Sequence, residues 1–228
     1  DSLSGAEALI RWNSRKYGFI GPNTFIPLLE DSALIIPLGR WIINTAAKAC
    51  NRWITSIPDF VMHINLSFVQ IVKSNIVKDV LENIERYSAA NNHYVFEITE
   101  TIEMDQIPAV QNVFKEFVKN EFRFAIDDFG TGYSNYGYMR DRTFDIVKVD
   151  RSFVTDIDKL KDNYLMVSFI IKMAHEMGLH VCIEGVETKE ELSCVKKLGA
   201  DYIQGYYYGK PVCLQDFEEQ HLKRFVLG

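Results

Sequence analysis

Residues 124–132 read Phe-Ala-Ile-Asp-Asp-Phe-Gly-Thr-Gly, an apolar strand that runs into two adjacent carboxylates and then two glycines. Neighbouring side chains on a strand point to opposite faces. Asp127 and Asp128 inside a strand would therefore bury one charge, whichever face is the core. Two resolutions are open. Either the strand ends at Asp127, and a turn permitted by Gly130 and Gly132 brings both carboxylates to one side, or something strongly positive waits there.

Outward from this stretch the chain alternates strand-like and helix-like segments. Upstream, 5–12 predicts a strand, 25–53 one or two helices, 60–67 a strand, 70–89 an amphipathic helix, 93–100 a strand and 106–120 a helix. The strand 122–129 is followed by a short helical stretch near 134–140. Downstream come a strand at 144–150, a helix at 162–178 closed by Gly178, and a strand at 179–185. Thr188 and Glu191 form a T-x-x-E capping signal for a helix over 189–198 that Gly199 ends; a strand at 201–207 and a helix near 214–224 complete the pattern. The strands DIVKV, HVCI and YVFEI are continuously apolar, as parallel strands covered on both faces are. About seven strand–helix units in this length predict an α/β fold of the (β/α) barrel type, with a doubly wound sheet as runner-up. The apolar stripe 165–173 reads as core, and Tyr206, Tyr207 and Tyr208 as packing and rim.

The 228 residues, 47% hydrophobic, fit one large domain. A formal charge of −6 argues against a general binder of DNA or RNA duplexes, yet allows a small anionic ligand met by a local positive site, which metal ions readily provide. Cys50, Cys182, Cys194 and Cys213 form no CxxC pair and read as reduced, buried thiols. No apolar run approaches the length of a membrane span. The opening DSLSGAEAL has neither a methionine nor a signal-peptide pattern, so the chain reads as a fragment of something longer.

Oxygen-bearing side chains recur at one place, on or at the ends of the strands: Glu7, Asn65, Glu97, Asp127, Asp128, Glu184 and Gln204, with Lys148 among them. Taken singly, each acid reads as a helix cap or a surface charge. In a parallel barrel, however, the C-terminal strand ends share one rim, and oxygen ligands without paired His or Cys suit Mg²⁺ or Mn²⁺ rather than zinc. Two such ions activate a water and stabilise the leaving oxygen in phosphodiester cleavage. Other signals fail: His175-Glu176 with His180 is one residue too long for HExxH, Gly130 and Gly132 lack the third glycine of GxGxxG, and no GxSxG occurs.

The ordered series EAL (7–9), INLS (64–67), EITE (97–100), DDFGTGYS (127–134), KVDRSFV (148–154), EGVE (184–187) and QGYYYGKP (204–211) resembles the EAL-domain family of cyclic di-GMP phosphodiesterases over nearly the whole chain. The resemblance implies a modified TIM barrel and cleavage of cyclic di-GMP to linear pGpG with two Mg²⁺ or Mn²⁺ ions. It implies that Glu7, Asn65, Glu97 and Asp127 hold one metal and that Asp127, Asp128 and Glu184 serve the second. Lys148 would hold the attacking water or a phosphate oxygen, Glu184 is a candidate general base, and Arg11 would pair with substrate phosphate. Glu187 and Gln204 would complete the site, and Glu100 would anchor the loop after Asp128. Bland readings stand beside these: Lys148 as partner of Asp145 or Asp150, Arg11 as one half of a surface pair, and Glu187 as a charge at the N-terminus of the 189–198 helix. The resemblance further implies a homodimer, an upstream sensor or GGDEF-type domain, and a cytoplasmic location with any membrane anchor lying upstream. An EAL barrel that binds the dinucleotide or a protein partner without turnover is the rival reading. Three departures stand out. The family's initial strand, roughly YQPI, is missing; Ile183 replaces a small alanine before EGVE, which bears on packing beside Glu184; and Asn135 replaces a serine.

Overall fold

The computed structural model describes residues 2–99, 108–131 and 143–222. Glu100, Asn135 and the helical stretch expected near 134–140 lie outside the described residues. In chain order the elements are β1 (Gly5–Ala8), β2 (Trp12–Ser14), β3 (Gly18–Ile20), α1 (Pro22–Asp31), α2 (Ile35–Trp53), β4 (Val61–Asn65), α3 (Phe68–Lys73), α4 (Ile76–Ile84), β5 (Tyr94–Thr99), α5 (Pro108–Lys119), β6 (Arg123–Phe129), β7 (Ile146–Val149), α6 (Lys161–Glu176), β8 (His180–Ile183), α7 (Lys189–Leu198), β9 (Tyr202–Ile203) and α8 (Leu214–Phe217). The seven-stranded parallel sheet has the order β1-β4-β5-β6-β7-β8-β9, with β2 and β3 forming a separate hairpin. Its order follows the chain without reversal. That is the winding of a (β/α) barrel, whereas a doubly wound sheet reverses at a switch point.

The chain divides into two compact units. The first contains the residues up to Phe96, then 108–123, and those from Val212 onward. Here β1 lies parallel to β4 with Glu7 opposite His63. Helix α2 buries Ile35, Gly39, Ile43, Ala46, Ala47, Cys50 and Trp53, spaced to make one face, and packs against β4 and α4. Burial pushes the Cys50 thiol up to about 12, outweighing the lowering influence of the neighbouring Tyr94 hydroxyl, so it stays a protonated core group. Cys182 is buried too, whereas Cys194 is half-buried and Cys213 exposed; all four are free thiols. Ser67 and Gln70 close a reciprocal capping box at the start of α3.

The second unit contains Glu97–Thr99, Phe124–Thr131 and the described residues from Thr143 to Pro211. Strands β6, β7, β8 and β9 run parallel, with α6 and α7 as the crossovers between β7, β8 and β9. The capping box of Thr188 and Glu191 forms as the sequence predicts, and α7 spans Lys189–Leu198. One expectation is corrected. Val167, Ile170, Ile171 and Ala174 are the buried face of α6, but Leu165, Met166 and Phe169 of the 165–173 stripe are exposed; apolar residues that run round a helix cannot all reach a sheet on one side of it. Tyr206, Tyr207 and Tyr208 are partly exposed, with Tyr207 edge to face on Tyr208 and Lys210 over the Tyr206 ring. Among the described residues, no helix is long and apolar enough to cross a membrane.

Candidate metal centre

The double aspartate resolves in a way that combines both openings. Strand β6 does not stop at Asp127 but continues to Phe129. Ile126 pairs with Val147 and Phe129 with Val149, so three steps along β6 match two along β7. The extra residue is a β-bulge, which bends the strand and re-aims a side chain. Asp128 sits in the left-handed region at φ 54°, a conformation aspartate tolerates better than most residues but that still costs energy. Because the bulge breaks the strict alternation, Asp127 and Asp128 do not diverge. One oxygen from each, with one from Glu184, lie within 4.8 Å of one another.

The strong positive charge is also there. Lys148 on β7 stands opposite Cys182 of β8 and is only 1% exposed. Its Nζ lies 2.7 Å from Glu97 Oε2, 3.0 Å from Asp127 Oδ1 and 2.9 Å from Glu184 Oε1. Of the aspartates that could have claimed Lys148, Asp145 Oδ2 accepts the Phe124 amide and Asp150 Oδ1 the Ser152 amide. A buried ammonium needs such company, since desolvating an unpaired charge is prohibitive. Glu97, itself 1% exposed, accepts a hydrogen bond from the Lys148 ammonium.

The three oxygens of Asp127, Asp128 and Glu184 suit a divalent ion. Asp127 Oδ1 is buried and, among the described residues, meets no donor in hydrogen-bonding geometry, while the Lys148 ammonium stands 3.0 Å away as its ion-pair partner. An oxygen so placed fits a cation ligand, and the all-oxygen set fits a hard divalent ion.

In the first unit, Asn65 Nδ2 donates to Glu7 Oε1 at 2.6 Å, joining the ends of β4 and β1. Arg11 is exposed, and its guanidinium donates to the Ile10 carbonyl. In the second unit, Gln204 is tied beside the end of β8: its amide donates to the Ile183 carbonyl and its own carbonyl accepts from Val186. Glu187 is exposed, outside the three-carboxylate group, and its amide donates to Glu191 Oε2. Ile183 is fully buried in register with Val149 and Ile203, so the larger side chain is accommodated in the strand.

Glu191 does more than its capping signal indicates. Its carboxylate accepts the amides of Glu187, Thr188 and Asp156. Burial alone would raise its pKa, but those backbone donors outweigh the burial and hold it below the ordinary glutamate value. It thereby ties the segment just after Glu184 to the turn after β7.

With the geometry in place, comparison with known proteins becomes informative. MucR of Pseudomonas aeruginosa, named as a bifunctional diguanylate cyclase/cyclic di-GMP phosphodiesterase, is 31% identical over 211 residues, covering 92% of this chain and 31% of MucR. The chain thus spans about a third of that relative's length. The structure of the EAL enzyme Bd1971 in its cAMP and cyclic di-GMP bound form matches with a TM-score of 0.90 at 35% identity, over 96% of this chain and 60% of that one. The PaMucR phosphodiesterase in its c-di-GMP complex matches with a TM-score of 0.87 at 30% identity, over 94% and 87% of the two chains. The EAL domain family model matches residues 1–211, and the chain belongs to the EAL domain family, with its modified TIM-barrel fold.

Proposed function

We propose that this chain hydrolyses cyclic di-GMP to linear pGpG with Mg²⁺ or Mn²⁺. The observation that carries the reading is the convergence of Asp127, Asp128 and Glu184 beside the buried Lys148. Those residues stand at the motif positions of a family whose relative MucR is named as a cyclic di-GMP phosphodiesterase. Asp127, Asp128 and Glu184 would hold one divalent ion, and Glu7, Asn65 and Glu97, with Asp127 shared, a second. Bound, such ions supply a water acidic enough to attack phosphorus and neutralise charge on the departing 3′ oxygen.

The chain's own groups supply the rest. Lys148 grips three carboxylates at 2.7–3.0 Å and so fixes their orientation before any ligand arrives. Glu184, just beyond the end of β8, would accept a proton as general base. Arg11, exposed and bonded among the described residues to the Ile10 carbonyl, would offer its other donors to a phosphate. Gln204 and Glu187 would flank the dinucleotide, and Glu100 would anchor the segment after Asp128.

Product analysis tests this reading. Incubation with cyclic di-GMP and Mn²⁺ yields pGpG from the wild-type chain and none from Asp127→Asn. Ca²⁺, larger and less exacting in geometry, supports binding without cleavage. A chain that binds cyclic di-GMP but releases no pGpG with Mg²⁺ or Mn²⁺ is a receptor, and the hydrolase reading is then wrong.

A further inference from the structure

The two glycines that follow the clustered carboxylates meet the same short turn. Gly130, two residues after Asp128, has φ 97°, and a Cβ built on it would fall 2.7 Å from Phe153 Cε2. Gly185, immediately after Glu184, has φ 71°, and a Cβ there would run into the Cβ of Arg151. Arg151 and Phe153 belong to one 3₁₀ turn, Arg151–Phe153, which begins two residues after β7 and the Lys148 it carries. The turn is itself pinned: Asp150 Oδ1 accepts the Ser152 amide, Asn163 of α6 donates to the Ser152 and Thr155 carbonyls, and Glu191 of α7 accepts the Asp156 amide.

We propose that the Arg151–Phe153 turn is a wedge that sets the spacing of the metal-binding carboxylates, with Phe153 as its positioning residue. The Phe153 ring rests on Gly130 and backs the bulge that keeps Asp128 in its left-handed conformation. The Arg151 stem rests on Gly185 and backs the chain leaving Glu184. Both contacts need a glycine on the other side, because any Cβ would occupy the space of the wedge as well as strain the backbone. One rigid turn thus braces both arms of the Asp127–Asp128–Glu184 group. Packing that locks a ligand's rotamer and backbone is what pre-forms a metal site. Phe153 acts through Gly130.

The proposal rests on the metal-site reading above, so its test reads metal binding directly. Mn²⁺ is titrated into the 228-residue chain without nucleotide, by electron paramagnetic resonance, alongside circular dichroism. Phe153→Ala is expected to keep the wild-type spectrum and to weaken Mn²⁺ binding by about tenfold or more, while Phe153→Leu, which retains bulk against Gly130, recovers most of the affinity. Gly130→Ala, with the ring intact, is expected to weaken it at least as much. Wild-type Mn²⁺ affinity in a folded Phe153→Ala or Gly130→Ala chain overturns the proposal, as does a wild-type chain that takes up no Mn²⁺. Weakened Mn²⁺ binding in a chain whose wild type makes no pGpG supports the wedge and defeats only the hydrolase reading. Unaltered Mn²⁺ binding with normal pGpG formation does the reverse.

Discussion

The second unit contains two clusters of charged side chains at opposite ends of the same strands. Toward the C-terminal ends of β5–β8, Asp127, Glu97 and Glu184 surround Lys148, which is 1% exposed. At the N-terminal end of β8, Asp201 sits between His175 at 2.8 Å and His180 at 3.6 Å. Asp201 is satisfied as a structural carboxylate should be: its Oδ2 accepts the buried Val181 amide and faces His175 Nε2. Asp127, by contrast, keeps a buried oxygen without a hydrogen-bond donor among the described residues, on a strand bent by a bulge. A fold spends strain and desolvation where something remains to be bound, and settles its other charges with ordinary hydrogen bonds. The comparison also explains why the histidines of the HExxxH string carry no metal reading: each ring nitrogen addresses a different oxygen of one aspartate rather than a common point.

The contrast can be broken most forcefully at Asp127. Asp127→Asn is expected to leave the fold intact while reducing pGpG formation to background and weakening Mn²⁺ uptake; retained Mn²⁺-dependent turnover would remove the metal role. Lys148→Met should cost about 3 kcal/mol in urea unfolding, because it leaves buried carboxylates without their shared cation. Turnover should fall about hundredfold through the loss of an orienting partner. A mutant as stable and active as wild type would show that the buried ammonium organises nothing.

Asp201→Ala should cost only about 1–2 kcal/mol, mainly by stranding the Val181 amide, since Asp201 is partly solvated. It should leave the Mn²⁺ titration unchanged. Burial would raise the Asp201 carboxyl, but the hydrogen bond from His175, the Val181 amide and the charges of His175 and His180 together hold it below the ordinary value. Its folded pKa is therefore lower than its unfolded one. The stabilisation is full above about pH 3.9 and is lost as pH falls through the lower folded value. Unfolding measured across that acid range should show a shallower decline in Asp201→Asn than in wild type. Smallest is Thr188→Ala, which removes a helix cap and should cost about 1 kcal/mol with turnover preserved.

Much of this was legible in the sequence because it depends on local pattern. The T-x-x-E signal placed α7 at Lys189–Leu198, and the short apolar runs placed β7 and β8 to within a residue or two. The acidic strand ends pointed to one rim, and Asp127, Asp128 and Glu184 do converge. What the sequence hid depends on pairing. The bulge between Ile126 and Phe129 exists only against β7, so nothing in FAIDDF reveals how a strand over 122–129 brings both aspartates to one side. Lys148 read as a holder of water or phosphate, or blandly as partner of Asp145 or Asp150, and its grip on three carboxylates stayed hidden because they come from β5, β6 and the residue after β8. The α6 stripe misled for a related reason: residue type indicates what prefers burial, but the helix has only one face toward the sheet, leaving Phe169 57% exposed. Phe153 and Arg151 carried no signal, since their partners are glycines, which reveal a close approach only once the neighbour is known.

The most direct test is a crystal of the chain soaked in Mn²⁺, with data collected at the manganese absorption edge. The account predicts an anomalous peak within ligand distance of Asp127, Asp128 and Glu184, and none beside Asp201. Manganese held by His175, His180 and Asp201 instead, or bare carboxylates around Lys148 at saturating metal, would contradict it.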